Sequence, residues 1–120
     1  VEAYSQKSLL MARELANKQS IGDALMNLAY VARVRGEGEL AETFLQEALL
    51  LAEQSDSPLM MSRVLSEWGE LKLRQHQLDA AKVYFLQALD QTGQNEPEQI
   101  AVVQLGLARL ALARGDIEET

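Results

Sequence analysis

With 120 residues, 48% of them hydrophobic and 24% charged, the chain has the size and balance of one globular domain able to fold alone. The absence of cysteine excludes disulfides, thiolate metal sites and a cysteine nucleophile. A net charge of -7 disfavours non-specific binding to nucleic acid or anionic membrane, since both need surplus Lys and Arg.

The composition favours helix throughout: Ala, Leu, Gln and Glu dominate. Residues 1–19 keep Val1, Ala3, Tyr4, Leu9, Leu10, Ala12, Leu15 and Ala16 on one face, the spacing of a first helix. Ser20, with Asp23 three residues on, resembles a capping box and starts a second helix running to about Arg35, where Gly36 and Gly38 end it. A third covers about 39–54. Ser55-Asp56-Ser57-Pro58 then supplies a stop, an N-cap at Ser57 and a proline at the first position of a fourth helix ending near Gln75. The fifth runs from about Leu78 to Gln91, with Asp79 complementing its positive end. Thr92 to Pro97 is turn-rich, a sixth helix ends at Arg114 before Gly115, and Asp116 to Thr120 read as the start of a seventh. The longest apolar run, Ile100 to Ala113, contains Gln104 and Arg109 and falls short of the ~20 residues that span a bilayer. With no secretory signal visible, the expectation is a soluble, cytoplasmic protein.

Ala41-Glu42-Thr43-Phe44-Leu45-Gln46-Glu47-Ala48-Leu49 returns forty residues later as Ala81-Lys82-Val83-Tyr84-Phe85-Leu86-Gln87-Ala88-Leu89. The same offset aligns Leu25 with Leu65, Leu28 with Trp68 and Ala29 with Gly69; at an offset of 39, Pro58 meets Pro97, Trp68 meets Leu107 and Gly69 meets Ala108. Going back by 40, Ala48 and Leu49 meet Ser8 and Leu9. The small residues let paired helices approach and the large ones fill the space between, an arrangement that buries its faces only when neighbouring hairpins stack.

At Leu25…Leu28-Ala29…Gly36…Ala41…Leu45…Ala48 and Leu65…Trp68-Gly69…Ala81…Phe85…Ala88, the chain resembles the tetratricopeptide repeat family. It departs in its period of about 40, where 34 is commonest, and in His76 at the turn-glycine position. The longer period resembles the repeat regions of large bacterial transcription activators of the maltose-regulator type and related signalling proteins. The expected fold is all-α, a right-handed superhelical stack of antiparallel helix hairpins with about six helices. Its parts are the second helix of one repeat (1–19), two repeats (20–57 and 58–96) and the first helix of another (97–114), as in an excerpt of a longer array.

The resemblance implies that the first helix of each pair lines a concave groove. Exposed groove positions are then Asn27, Tyr30 and Arg33, with Asp23 beside them, then Arg63, Glu67, Glu70 and Arg74, and Arg109. Arg forks there suit an acidic or carboxylate-ended peptide. The bland alternative has Arg33, Arg63, Glu67, Glu70 and Arg74 pairing with one another as surface charges. A chaperone-tail clamp is disfavoured, because Glu67 stands where Asn27 stands one repeat earlier and would repel a carboxylate. Glu67 and Glu70 have ordinary surface spacing, His76 is a lone histidine at a turn without a ligand set, and Trp68 aligns with Leu28 as packing; Tyr30 reads equally as groove or packing residue. No catalytic residue, metal or cofactor is expected. The function expected is a protein- or peptide-binding scaffold, the interaction or sensor segment of a larger bacterial regulator. The alternatives are a structural segment that forms a homodimer through the sixth helix, by Val103 and Leu110, or a small-molecule sensor.

Overall fold

A computed structural model describes the backbone of residues 2–119 and the side chains of residues 17–115. Among the described residues there are five helices: α1 (Glu2–Val34), α2 (Gly38–Ser55), α3 (Pro58–Arg74), α4 (Leu78–Gln91) and α5 (Pro97–Glu119). The apolar spacing of residues 1–16 and the correspondence of Ala48 and Leu49 with Ser8 and Leu9 lie outside the described side chains.

The first two expected helices are one. α1 continues through Ser20 and Asp23, because nothing between Gln19 and Asp23 imposes a non-helical φ and a capping box has a role only where the helix has already stopped. Gly22, a weak point by propensity, is a close-approach position: a Cβ there would lie 3.0 Å from the Met60 side chain. At the other end α5 continues through Gly115 to Glu119, so Gly115 does not end it and no separate helix begins at Asp116. The remaining elements follow the sequence closely, α4 to the residue. Ser57 caps α3 as expected, its Oγ accepting from Met60 N–H at 3.2 Å with Pro58 at the first helical position.

The ends of α1 and α3, forty residues apart, close alike. At the end of α1, Gly36 N–H donates to Arg33 O (3.0 Å) and Glu37 N–H to Ala32 O (2.8 Å); at the end of α3, His76 N–H donates to Leu73 O (3.0 Å) and Gln77 N–H to Lys72 O (2.9 Å). Both are Schellman caps, and both place the turn residue in the left-handed region, Gly36 at φ 80 and His76 at φ 60. Histidine therefore performs a glycine's task at the cost of a Cβ clash. His76→Gly is expected to raise stability by about 0.5–1 kcal/mol, read from urea denaturation followed by the single tryptophan, Trp68.

Packing repeats as well. Ala41, Leu45 and Ala48 of α2 and Ala81, Phe85 and Ala88 of α4 are all 0% exposed. α1, α3 and α5 touch in that order; α2 packs on α1 and α3, α4 packs on α3 and α5, and α2 does not meet α4. The Cα extents are 70 × 32 × 17 Å, the last accommodating two helix layers at the usual separation of about 8–10 Å. One core cluster joins Ala29, Ala32, Leu45, Val64, Trp68 and Leu71; the other joins Leu65, Phe85, Val103 and Leu110; Leu49, Met61 and Tyr84 pack against both.

Two aligned positions differ from expectation. Leu28, paired in sequence with core Trp68, is 48% exposed, whereas Trp68 is buried and stacked on Tyr84 at 5.4 Å between centroids. α2 claims the side of α1 that carries Ala29 and Ala32, which turns Leu28 away. On α5 the expected small position, Ala108, is exposed, and the residue that packs against Phe85 is Gly106.

Candidate interaction face on α1, α3 and α5

The groove residues expected from sequence fall on the face shared by the three odd-numbered helices. Ridge-to-ridge contact between neighbours brings most of them together in pairs. Arg33 Nε on α1 donates to Glu67 Oε1 on α3 at 2.7 Å, and Arg63 Nη1 on α3 reaches Asp23 Oδ1 on α1 at 3.3 Å. Arg109 on α5 donates to Glu70 Oε1 on α3. Arg74 Nη2 donates to the carbonyl of Val34 at 3.1 Å. The guanidinium of Arg33 also lies 5.1 Å from the Tyr30 ring centroid, a cation–π contact on an otherwise exposed tyrosine, and Asn27 is exposed.

The pairs bridge different helices and none follows the i, i+4 spacing of a single helix. Three cations and three carboxylates compensate one another across this face, so it carries no cationic surplus from Arg33, Arg63 and Arg109. The pairs differ in worth. Arg33 and Glu67 have side chains only 14% exposed, whereas Arg63 and Asp23 are 45% and 57% exposed, a regime where an ion pair contributes about 0–1 kcal/mol.

Glu70 sits between these pairs. Burial pushes its carboxyl above the ordinary value of 4.5; Arg109 and then Arg33 oppose that rise, and Glu67 adds to it. A carboxyl raised in the folded state binds its proton more tightly there than in the unfolded chain. Its contribution to stability therefore falls as pH rises from 4.5 through the raised value. Lowering the pH to 4.5 is expected to stabilise the wild type relative to Glu70→Gln, with melting temperature across a pH series as the measurement.

Beside the pairs the face is recessed. A hollow of about 520 Å³ lies between α3 and the start of α5, lined by Leu59, Arg63, Asn95, Glu96, Pro97, Glu98, Gln99 and Val102. A smaller one of about 180 Å³ lies between α1 and α3, lined by Gln19, Asp23, Ser57, Leu59, Met60 and Arg63. Leu59 and Arg63 border both, standing between the two hollows of a shallow trough along this face. Gln99 is held from beneath: its Nε2 donates to Ser62 Oγ at 3.1 Å, and Ser62 Oγ donates to Ala88 O at 2.8 Å. The sequence reading named Arg63 and Asp23 here but missed Leu59, Gln99 and Val102. The sequence offered no local signal for Gln99, which adjoins Glu98 on a helix that also carries Gln104 and Arg109.

Val103 and Leu110, expected to mediate self-association, are core residues instead, 0% and 3% exposed against Leu65, Phe85 and Ala88. They face α3 and α4, and a contact between copies cannot use them. Trp68 is packing, as expected, and His76 is an exposed turn residue. Among the described residues no cluster of His, Asp or Glu is arranged to hold a metal ion, and no helix is long and apolar enough to cross a membrane. Comparison with protein-family models, with characterised proteins and with solved structures finds no match.

Proposed function

We propose that the chain is a peptide-binding helical scaffold of the tetratricopeptide type, with its ligand seated in the shallow trough along this face of α1, α3 and α5. The repeated Schellman caps and the identical burial of Ala41, Leu45 and Ala48 with Ala81, Phe85 and Ala88 support the repeat assignment. The observation that carries the binding reading is Arg63, half-exposed between the two hollows, sharing the lining of the larger one with the exposed apolar side chains of Leu59 and Val102 and held only by an exposed aspartate. A peptide carboxylate can exchange with Asp23 at little cost, because each ionic group is already solvated. The largely covered Arg33–Glu67 pair is unsuited to such exchange and acts as scaffold. The ligand class that follows is a segment offering one carboxylate to Arg63 beside a leucine-sized side chain, since Glu96 and Glu98 in the same lining oppose further negative charge.

The probe is an acetylated hexapeptide with one aspartate beside a leucine, titrated into the labelled protein and followed by amide chemical shifts. Shifts are expected at Leu59, Arg63, Gln99 and Val102. Asp23→Asn should tighten binding about 5–10-fold by releasing Arg63, and Arg63→Ala should weaken it by at least as much. No shifts in the trough, or binding indifferent to Arg63→Ala, would discard the reading.

A further inference from the structure

Gln99 lines the larger hollow although it is only 9% exposed, and its carboxamide is held in one orientation. Its Nε2 donates to Ser62 Oγ at 3.1 Å and, in a longer contact, to Ser66 Oγ at 3.5 Å. Neither hydroxyl has a proton to return. Ser66 Oγ donates to Arg63 O at 2.9 Å, and Ser62 spends its proton on Ala88 O at 2.8 Å or on Thr92 Oγ1 at 2.7 Å. Each serine owns one O–H, so both accept from Gln99, and the amide nitrogen is the inward end. The carbonyl end is left on the side of the hollow. Among the described residues Oε1 has no hydrogen-bond partner; the fully buried side-chain atoms lacking one belong to Ser55, Trp68 and Arg114, so Oε1 is open to the hollow.

Packing alone does not call for a glutamine here. At the offset of 39 that aligns Pro58 with Pro97, Gln99 stands where Met60 stands on α3, and Met60 is buried with no amide to satisfy. The two serines do not require it either, since their protons already have acceptors. We infer that Gln99 Oε1 accepts a backbone N–H of the bound peptide, an inference that rests on the trough reading above. With a carboxylate on Arg63 and a leucine-sized side chain against Leu59 and Val102, the N–H that joins those two groups crosses the hollow that Gln99 lines. The carboxylates in the same lining compete poorly for it: Glu98 is exposed, and Glu96 Oε2 already accepts from Gly93 N–H at 3.3 Å. A solvated acceptor selects little, because water replaces a missing donor, whereas a covered one is left unpaired by a ligand without the N–H. The ligand class narrows accordingly, and a segment with proline or an N-methylated residue in the leucine's place is rejected.

The test compares the hexapeptide, its aspartate placed before the leucine, with the same peptide carrying an ester oxygen in place of the leucine N–H. Shape and charge are equal and the donor is removed. In the amide-shift titration the wild type is expected to bind the ester about 5–20-fold more weakly, the worth of one covered hydrogen bond. Gln99→Met should bind the amide peptide as weakly as the wild type binds the ester, and should no longer distinguish the two. Arg63→Ala should weaken both peptides by the same factor. Equal affinity of the wild type for both peptides, or a preference for the amide that survives Gln99→Met, would overturn the inference while leaving the trough reading intact. So would a Gln99→Met variant that weakens amide and ester alike, which is the mark of packing alone. Absence of binding in the trough would discard the reading and the inference together. The wild-type comparison involves no variant, so it decides the matter if Gln99→Met fails to fold.

Discussion

Phe85→Ala is expected to lower stability by about 3–5 kcal/mol, a large share of the ~5–15 kcal/mol that holds a domain of this size folded. The ring is 0% exposed and occupies the junction of three helices. It lies over Gly69 of α3 and Gly106 of α5: a Cβ at Gly69 would meet its ring carbons at 2.7 Å, and one at Gly106 would come closer still. Neither glycine serves a turn; both are helical, and each is there because only a bare backbone lets the aromatic ring in. The prediction therefore has a sign test. In the wild type, Gly106→Ala should destabilise by about 1–3 kcal/mol through overpacking. In the Phe85→Ala background the clash is gone, and the same change should become neutral or stabilise by up to about 1 kcal/mol, the helix-propensity gain of alanine over glycine. Urea denaturation of the four proteins in a double-mutant cycle measures it. Equal effects of Gly106→Ala in both backgrounds would mean the ring does not occupy this junction.

Glu67→Ala carries the second large effect. It strands the Arg33 guanidinium at a site where the paired side chains are 14% exposed, and breaking so covered a pair should cost about 2–4 kcal/mol, near the range for fully buried pairs. Tyr30 remains as a cation–π neighbour and recovers a fraction. The informative comparison is the double variant Arg33→Met, Glu67→Leu. Its apolar side chains keep the volume and remove both desolvation costs, so it should return to within about 1 kcal/mol of wild type. A single variant no worse than Asp23→Ala, whose pair with Arg63 is exposed, would show that burial at Arg33 does not govern the energetics.

Local signals were the legible part of the sequence. Ser57-Pro58 fixed the start of α3, and the large and small positions of Ala81–Leu89 fixed α4 and its buried face, because a cap and an Ala-x3-Phe-x2-Ala face depend on neighbours a few residues away. Ser20 failed as a break because a capping side chain favours a helix start without forbidding continuation; only a proline or an obligatory positive φ would have done that. On α5 the offset of 39 kept the buried face, since Val103 and Leu110 stand where Val64 and Leu71 stand on α3 and all four are buried. Expecting Val103 and Leu110 to mediate self-association ignored that correspondence. The contact of Phe85 with Gly106 was not legible, because it joins α4 to the helix that follows it in the chain, across a different face from the one Gly69 offers. On the candidate site, residue identities were legible and their partners were not. Arg33, Arg63, Glu67, Glu70 and Arg74 read equally as groove contacts or as charges pairing with one another, and which acid meets which arginine was not legible, since the partners of Arg33, Arg63 and Arg109 stand 34 to 40 positions away on adjacent helices.

Among the described residues, α3 is the one helix that touches all four others. In a stack where most contacts join nearest neighbours, opening an outer helix sacrifices one or two interfaces, whereas opening α3 requires the whole assembly to come apart. Amide hydrogens should therefore exchange in a graded order. Those along the outward edges of α1 and α5 should go first through partial openings, and those between Val64 and Leu71 last, at a rate set by global unfolding alone. The chain's slowest clock then sits midway between its two ends, in the helix that also carries Arg63, so the residue read as most exposed to a ligand is mounted on the segment least able to move.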